Sequence, residues 1–148
     1  MQIRYEIREA WREQAFGIEP NIAITLGMGL PTTAERLNTD ATEFLNQIQR
    51  RALGPRWSKK PASIRINAVG FHERPLSNPH MHIAAAAGDR VAERIVLDGS
   101  RYWKAIRPAG DFWAQRIENL DGYIAYITKD AITQQAWDDV FVYASRDL

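Results

Sequence analysis

Two histidines separated by one residue, His80 and His82, are the first feature of the sequence that could support chemistry. In a β-strand, alternate side chains point to the same face, so both imidazoles would lie side by side. Each neutral imidazole offers one lone pair to a divalent metal ion, and open coordination positions remain for water or a phosphate. The pair therefore indicates a candidate metal site, although two histidines on a polar sheet face would give the same pattern.

A carboxylate is available as a third ligand. Glu73 precedes His80 in the sequence and would lie beside it across a hairpin, with His72 as a competitor for the same role. The chain contains no cysteine, so any metal must be held by His, Asp or Glu. Two histidines and one carboxylate leave half of an octahedron empty, which suits a Mn²⁺ or Mg²⁺ ion that bridges a phosphate.

A second group of residues consists of Tyr123, Tyr126 and Lys129, which are spaced three apart and would stack along one side of a helix. A phenol has a pKa of about 10, so a tyrosine nucleophile needs a nearby cation or metal to stabilise its phenolate. Lys129, one turn from Tyr126, supplies such a cation and favours Tyr126 as the nucleophile. Tyr123 remains an alternative or second nucleophile, and an amphipathic helix with packed tyrosines would explain the same spacing.

Periodic spacing of apolar residues predicts the elements that would position these side chains. The strands 63–72 and 80–87 are joined by a Pro- and Asn-containing loop and should pair antiparallel. In chain order, the predicted elements are a helix over 4–16, a strand over 22–28, a helix begun by Thr32 and ended by Gly54, strands over 63–72 and 80–87, a turn at Asp98-Gly99, a short helix around Trp103, a strand over 112–117, a helix over 119–131 and a strand or helix end over 140–144.

The composition predicts one globular domain over residues 1–148, because 45% of the residues are hydrophobic and no segment is biased enough to suggest disorder. The first residues contain no apolar core of a signal peptide, and no apolar run is long enough to span a membrane. We therefore expect a cytoplasmic protein.

The net charge of +1 points to no partner, but basic residues cluster without acidic ones in the middle of the chain. This cluster is either a solvated helix end or a surface that contacts phosphates. The tryptophans are expected in the core, except for the one inside this cluster, which is a candidate for stacking on bases. The predicted DNA-binding residues are Arg50, Arg51, Arg56, Trp57, Lys59 and Lys60.

The order of the motifs resembles the replication-initiator branch of the HUH (His-hydrophobic-His) endonucleases, which act in rolling-circle replication. The family's hydrophobic strand matches residues 22–28, its paired histidines match His80-Met81-His82, and its Tyr-x-x-Lys motif matches Tyr126-Ile127-Thr128-Lys129. Asp130 follows the lysine, as an aspartate does in some members. The resemblance covers about residues 20–131. Because each motif is short, the specificity of the resemblance lies in the joint spacing of the three motifs.

The resemblance implies an α+β fold with a central antiparallel sheet of about five strands, flanking helices and a ferredoxin- or RRM-like core. It places the metal pair on the central strand, facing the tyrosine helix. It also implies nicking of single-stranded or hairpin DNA, in which Tyr126 attacks a metal-polarised phosphate and forms a 5′-phosphotyrosine bond. Lys129 would position the phosphate or favour the phenolate, Asp130 could assist the metal site, and unwinding would depend on a host helicase.

Three other functions are compatible with the same residues. One is a non-catalytic DNA-binding module on this fold, and another is a metal-dependent phosphoesterase that activates water while its tyrosines are structural. A single-strand transposase shares the chemistry but typically places its tyrosine differently. A two-histidine phosphodiesterase is disfavoured, because it needs a second His-x-Ser/Thr motif and the chain has three histidines. The origin sequence, the metal and the oligomeric state stay open.

Overall fold

The computed structural model describes residues 2–73, 78–129 and 140–144, which form a five-stranded sheet and four α-helices. Two short 3₁₀ turns lie at Trp57–Lys59 and Ala62–Ile64. The strands are β1 (Ile22–Gly27), β2 (Asn67–Glu73), β3 (His80–Ala86), β4 (Asp111–Arg116) and β5 (Val140–Tyr143). The helices are α1 (Gln2–Gly17), α2 (Ala34–Leu53), α3 (Asp89–Ile106) and α4 (Leu120–Thr128).

The sheet has the strand order β4-β1-β3-β2-β5, and all neighbouring strands are antiparallel. The elements β1-α2-β2-β3-α3-β4 follow the βαββαβ connectivity of ferredoxin-like folds, and β5 pairs with the outer edge of β2. The predicted fold class, α+β with a five-stranded antiparallel sheet and flanking helices, is confirmed. Strand β3, which carries both histidines of the His-x-His motif, is the central strand.

The two faces of the sheet are covered by different helices. One face bears Ile24, Met81 and Ile83 and packs against α2 and α3 through residues such as Phe44 and Trp103, all of them buried. Burial of each such side chain contributes about 1.5–3 kcal/mol, so this larger core provides most of the apolar stabilisation.

The opposite face carries a smaller core. Val69, Phe71 and Ala84 pack there against Ile124 and Ile127, and Ala15 of α1 completes the cluster. Helix α1 contacts β2 and helix α4 contacts β3. Strand β4 is more exposed on this side, where Asp111, Trp113 and Gln115 face solvent.

Two predicted boundaries were wrong for identifiable reasons. Helix α2 is capped by Thr33 rather than Thr32, because the Thr33 side chain accepts a hydrogen bond from the backbone N of Arg36 at 3.0 Å. Residues 62–64 form a 3₁₀ turn, so β2 begins later than predicted.

The predicted turn at Asp98-Gly99 was wrong, because these two residues lie inside α3, which continues unbroken from Asp89 to Ile106. Gly99 serves packing: a Cβ there would lie 2.3 Å from Cζ of Phe112 on β4. The helix can approach the strand closely only because this position has no side chain. Over the residues that the structure describes, none of the helices is both long and apolar enough to cross a membrane.

Candidate active site

Strand pairing and the packing of α4 on the sheet together bring five of the predicted site residues to one cavity. Glu73 is the cross-strand partner of His80, and His82 lies opposite Thr25 of β1. The cavity has a volume of about 560 Å³ and opens on the face of the sheet that α1 and α4 cover in part. Its lining consists of Thr25, Glu73, His80, His82, Trp113, Tyr123 and Tyr126.

The imidazole of His82 is held on both sides. Its Nδ1 lies 3.1 Å from Oγ1 of Thr25, and its Nε2 lies 2.5 Å from Oε2 of Glu73. Because an ionised carboxylate only accepts hydrogen bonds, Nε2 carries a proton in this arrangement. If Nε2 gave its lone pair to a metal instead, the proton would sit on Nδ1 and be donated to Thr25, an outer contact typical of metal-bound histidines.

His80 has its tautomer set by the backbone. Its Nδ1 lies 2.7 Å from the carbonyl oxygen of Asn78, which can only accept, so Nδ1 carries the proton and Nε2 keeps a lone pair. This Nε2 lies 3.0 Å from the point that a Cβ on Gly27 would occupy. The Cβ of Asp111 lies 3.3 Å from the same point. His80 therefore reaches over β1 toward β4, and Asp111 is a nearby carboxylate that the sequence analysis missed.

The donor set fits a divalent cation in its chemistry. Two imidazoles and a carboxylate suit Mn²⁺ or Mg²⁺, and His80 offers a free lone pair. Within residues 2–73, 78–129 and 140–144, however, no three His, Asp or Glu side chains are close enough to hold an ion. His82 and Glu73 contact each other while His80 lies over Gly27, so a shared ion would require the three side chains to draw together.

Tyr126 stands at the opening of the cavity. Its side chain is 48% exposed, and its ring centroid lies 5.4 Å from that of His82 at an interplanar angle of 71°. The Nζ atom of Lys129 lies 4.4 Å from the centroid of the Tyr126 ring. The accessible phenol is thus flanked by an imidazole and an ammonium group, and Tyr126 and Lys129 share a face as their spacing predicts.

Tyr123 occupies a different environment, although it lines the same cavity. Its hydroxyl donates a hydrogen bond of 2.7 Å to the carbonyl oxygen of Ile83 on β3. Burial raises the pKa of the Tyr123 hydroxyl well above its usual range. Its geometry is that of a residue that fastens α4 to the sheet, and Tyr126 is the more accessible of the two phenols.

Helix α4 is capped at its first turn and is held against α1 at its last. The Asn119 side chain caps it by accepting a hydrogen bond from Gly122 N at 3.0 Å. At the other end, Nε of Arg12 on α1 donates to Oγ1 of Thr128 at 2.8 Å. These contacts set the position of Tyr126 relative to His82.

His72, another predicted site residue, does not join the cavity. His72 points to the opposite face of the sheet, where its Nε2 lies 2.7 Å from Oδ1 of Asn38 on α2. This follows from strand alternation, because neighbours such as His72 and Glu73 point to opposite faces. Asp130 lies outside the described residues, as does Trp137.

The predicted basic cluster lies far from the cavity. It precedes the first residue of β2, Asn67, whereas the cavity lies at the other end of this strand, beside Glu73. Six strand steps separate these ends by about 20 Å. Arg50, Arg51, Arg56, Lys59 and Lys60 are exposed and Trp57 is half-buried. A role in contacting DNA phosphates stays a prediction, and these contacts would lie away from the cavity.

Arginines from α3 extend this basic surface. Arg51, Arg90 and Arg94 line a cavity of about 300 Å³ together with Glu93. The sequence analysis missed the two α3 arginines because they are distant from the cluster along the chain and come beside it only when α2 packs on α3.

Trp113 and Thr25 line the cavity, and the sequence analysis predicted neither of them as a site residue. Trp103 is fully buried, as expected of a core tryptophan, but Trp113 is 46% exposed. The alternation in β4 carries the signal that would have located it: Phe112 packs on Phe44 in the main core, so Trp113 must face the other way.

Comparison of this chain with family models, with curated proteins and with solved structures found no match. The functional argument therefore depends on the geometry of the site.

Proposed function

We propose that this protein nicks and rejoins single-stranded or hairpin DNA through a covalent bond to Tyr126, as in the initiation of rolling-circle replication. The observation that carries the proposal is the placement of Tyr126. This accessible phenol lies beside the His82–Glu73 pair and under the ammonium group of Lys129. A nucleophile, a cation and candidate metal ligands are thus gathered around one cavity on a sheet.

The proposed reaction is a transesterification. The Tyr126 oxygen attacks the phosphorus atom, the bond from phosphorus to the 3′ oxygen breaks, and a 5′-phosphotyrosine and a free 3′-OH are formed. The phenol gives up one proton and the leaving 3′ oxygen takes one up, so the reaction consumes no water. Rejoining is the reverse reaction, in which the 3′-OH attacks the phosphotyrosine.

Lys129 favours this reaction by charge. Negative charge develops on the phenol oxygen and spreads into the ring, and the ammonium group lies over that ring. Preorganised positive charge near developing negative charge is a large contribution to catalysis in many enzymes. Lys129 is also exposed and near enough to Tyr126 to attract the substrate phosphate.

Glu73, His80 and His82 would hold the divalent cation, Mn²⁺ or Mg²⁺. When bound, the cation would polarise the scissile phosphate and neutralise part of its charge. Thr25 supports the site by contacting Nδ1 of His82, and the Asn78 carbonyl keeps the Nε2 lone pair of His80 available. As part of the proposal, we place this activity in the cytoplasm and assign unwinding of the duplex to a host helicase.

A second candidate function is a metal-dependent phosphoesterase that activates water. The contact between Glu73 and His82 favours it, because a carboxylate–imidazole pair beside a phosphate can accept a proton from water. In this mechanism Tyr126 would only bind substrate. The two functions differ in whether a covalent protein–DNA intermediate forms.

A denaturing-gel assay distinguishes these functions. The protein is incubated with end-labelled pools of random and hairpin single-stranded oligonucleotides and Mn²⁺, with EDTA controls. We expect a metal-dependent protein–DNA adduct that Tyr126→Phe abolishes and Tyr123→Phe retains. Cleavage without an adduct would support the phosphoesterase, and metal-independent binding without cleavage would support a non-catalytic DNA-binding module.

A further inference from the structure

Trp113 and Tyr126 are the two half-exposed aromatic side chains that line the active-site cavity. They stand on different elements, with His82 and Thr25 between them on the sheet. The cross-strand register places His82, Thr25 and Trp113 in one row across β3, β1 and β4. Two strand spacings separate the Cα positions of His82 and Trp113, which is about 10 Å.

The indole of Trp113 is exposed for a structural reason. Its neighbour Phe112 packs on the main core, so alternation points Trp113 to the face where helices α1 and α4 contact β2 and β3. Its solvent-facing neighbours on β4, Asp111 and Gln115, are polar. An indole that is 46% exposed among polar side chains presents a flat apolar surface to whatever enters the cavity.

We infer that Trp113 is a stacking platform for a nucleobase of the strand that Tyr126 cleaves. This inference rests on the proposed function and adds a base subsite to it. A volume of about 560 Å³ is within the range of small-ligand sites, so the cavity accommodates a base beside the phosphate group. The separation between Trp113 and His82 fits a base that lies one or two nucleotides from the phosphate held near Tyr126.

The chemistry of the cavity fits a nucleotide strand. Lys129 and the imidazoles suit a phosphate, while the indole suits a planar heterocycle, and both lie on the same side of the sheet. Every base has an aromatic face, so stacking on Trp113 holds the strand with little sequence preference. Trp113 also lies apart from Trp57, which is near the opposite end of the sheet, next to the basic cluster.

The test separates base contacts from phosphate contacts. The parent protein for this test is the full chain with Tyr126→Phe, a change that prevents cleavage. Fluorescence anisotropy measures its binding to a labelled pool of random twelve-nucleotide strands. A twelve-unit abasic strand carries the same phosphates without bases and serves as the reference. We expect the parent protein to prefer the base-containing pool by about tenfold, since one stacked base typically changes affinity by about 5- to 150-fold.

Trp113→Leu should remove this preference, whereas Trp113→Phe should keep part of it because it retains an aromatic ring. Leu97→Ala, which changes an exposed apolar residue on α3, is the matched control and should keep the preference. Circular dichroism verifies that each variant is folded, and Trp113→Phe provides the second variant if Trp113→Leu does not fold. An equal preference in Trp113→Leu and its parent would overturn the inference.

The outcomes separate this inference from the proposed function. If wild-type protein forms the Tyr126 adduct but Trp113→Leu keeps its preference for bases, only the base subsite is wrong. If the parent protein binds neither strand and wild-type protein forms no adduct, the inference fails together with the proposed function. A base preference that Trp57→Ala removes and Trp113→Leu retains would assign the stacking to the basic cluster and overturn the inference.

Discussion

Gly27 leaves room for the imidazole of His80. The Nε2 atom of His80 lies 3.0 Å, and its Cδ2 atom 3.1 Å, from the position that a Cβ on Gly27 would take. Real Cβ atoms seldom come this close to another atom, so a methyl group here would displace the end of the histidine side chain. The glycine that ends β1 is therefore a positioning residue for the candidate metal site.

Gly27→Ala should weaken the proposed metal-dependent reaction. The added methyl would displace the His80 ring by a few tenths of an ångström and so disturb the orientation that its contact with the Asn78 carbonyl sets. Loss of such orientation commonly costs 10- to 100-fold in metal affinity or activity, and we expect adduct formation to fall by about that factor. Titration of Mn²⁺ against adduct yield measures the effect. Gly17→Ala is the control, because a Cβ there meets no atom within 4 Å; an unchanged or larger yield in Gly27→Ala would contradict this role.

The two tyrosines that line the cavity should differ in their contributions to stability. Tyr123→Phe removes a hydrogen bond to the Ile83 carbonyl and should lower the free energy of unfolding by about 1 kcal/mol. Tyr126→Phe changes a half-exposed residue, and a change within about 0.5 kcal/mol is expected. Urea unfolding followed by circular dichroism measures both. A larger loss in Tyr126→Phe than in Tyr123→Phe would show that their roles are exchanged.

Lys129→Met should slow adduct formation more than it weakens DNA binding. The methionine keeps the length of the side chain and removes the charge over the Tyr126 ring. Loss of one electrostatic contact to developing charge commonly lowers the rate by about 10²–10³-fold. Single-turnover adduct rates at saturating DNA measure this effect, with Lys104→Met on α3 as the charge-matched control. If both lysine variants lost the same fraction of the rate, Lys129 would act only through net charge.

Alkaline pH should destabilise the protein partly through Tyr143 on β5. Its hydroxyl donates to Asn46 Oδ1 and accepts from Gln49 Nε2, both at 2.6 Å, and burial raises its pKa to about 12. An unfolded tyrosine titrates near pH 10, so above this pH the unfolded state loses the proton first. The stabilising contribution is therefore complete below about pH 10 and is lost as the pH rises through about 12.

Tyr143→Phe should flatten the decline of stability over this pH range. Urea unfolding at several pH values above neutrality, for wild type and variant, provides the measurement. Because burial also raises the pKa of Tyr123, the stability of the Tyr143→Phe variant should still decline with pH, but less than that of the wild type. Parallel curves for the two proteins would exclude Tyr143 as a source of the pH dependence.

Local patterns in the sequence predicted most of the elements and part of the site. Alternating apolar residues predicted β1, and the two-residue spacing placed His80 and His82 on one face of a strand. These features are local, because they depend on the geometry of one helix or strand. The predicted turn at Gly99 failed since the glycine is required by a contact with Phe112 on another element.

Tertiary structure alone decided which residues meet. Strand register put Glu73 rather than His72 beside His82, and it brought Gly27, Asp111 and Trp113 from β1 and β4 to the same face. The docking of α4 tied Tyr123 to Ile83 and left Tyr126 accessible, although both tyrosines have similar sequence surroundings. Separation along β2 likewise put the basic cluster far from the cavity. The sequence by itself determined the types of functional groups and their local spacing, whereas distances between groups on different elements depend on how strands pair and helices pack.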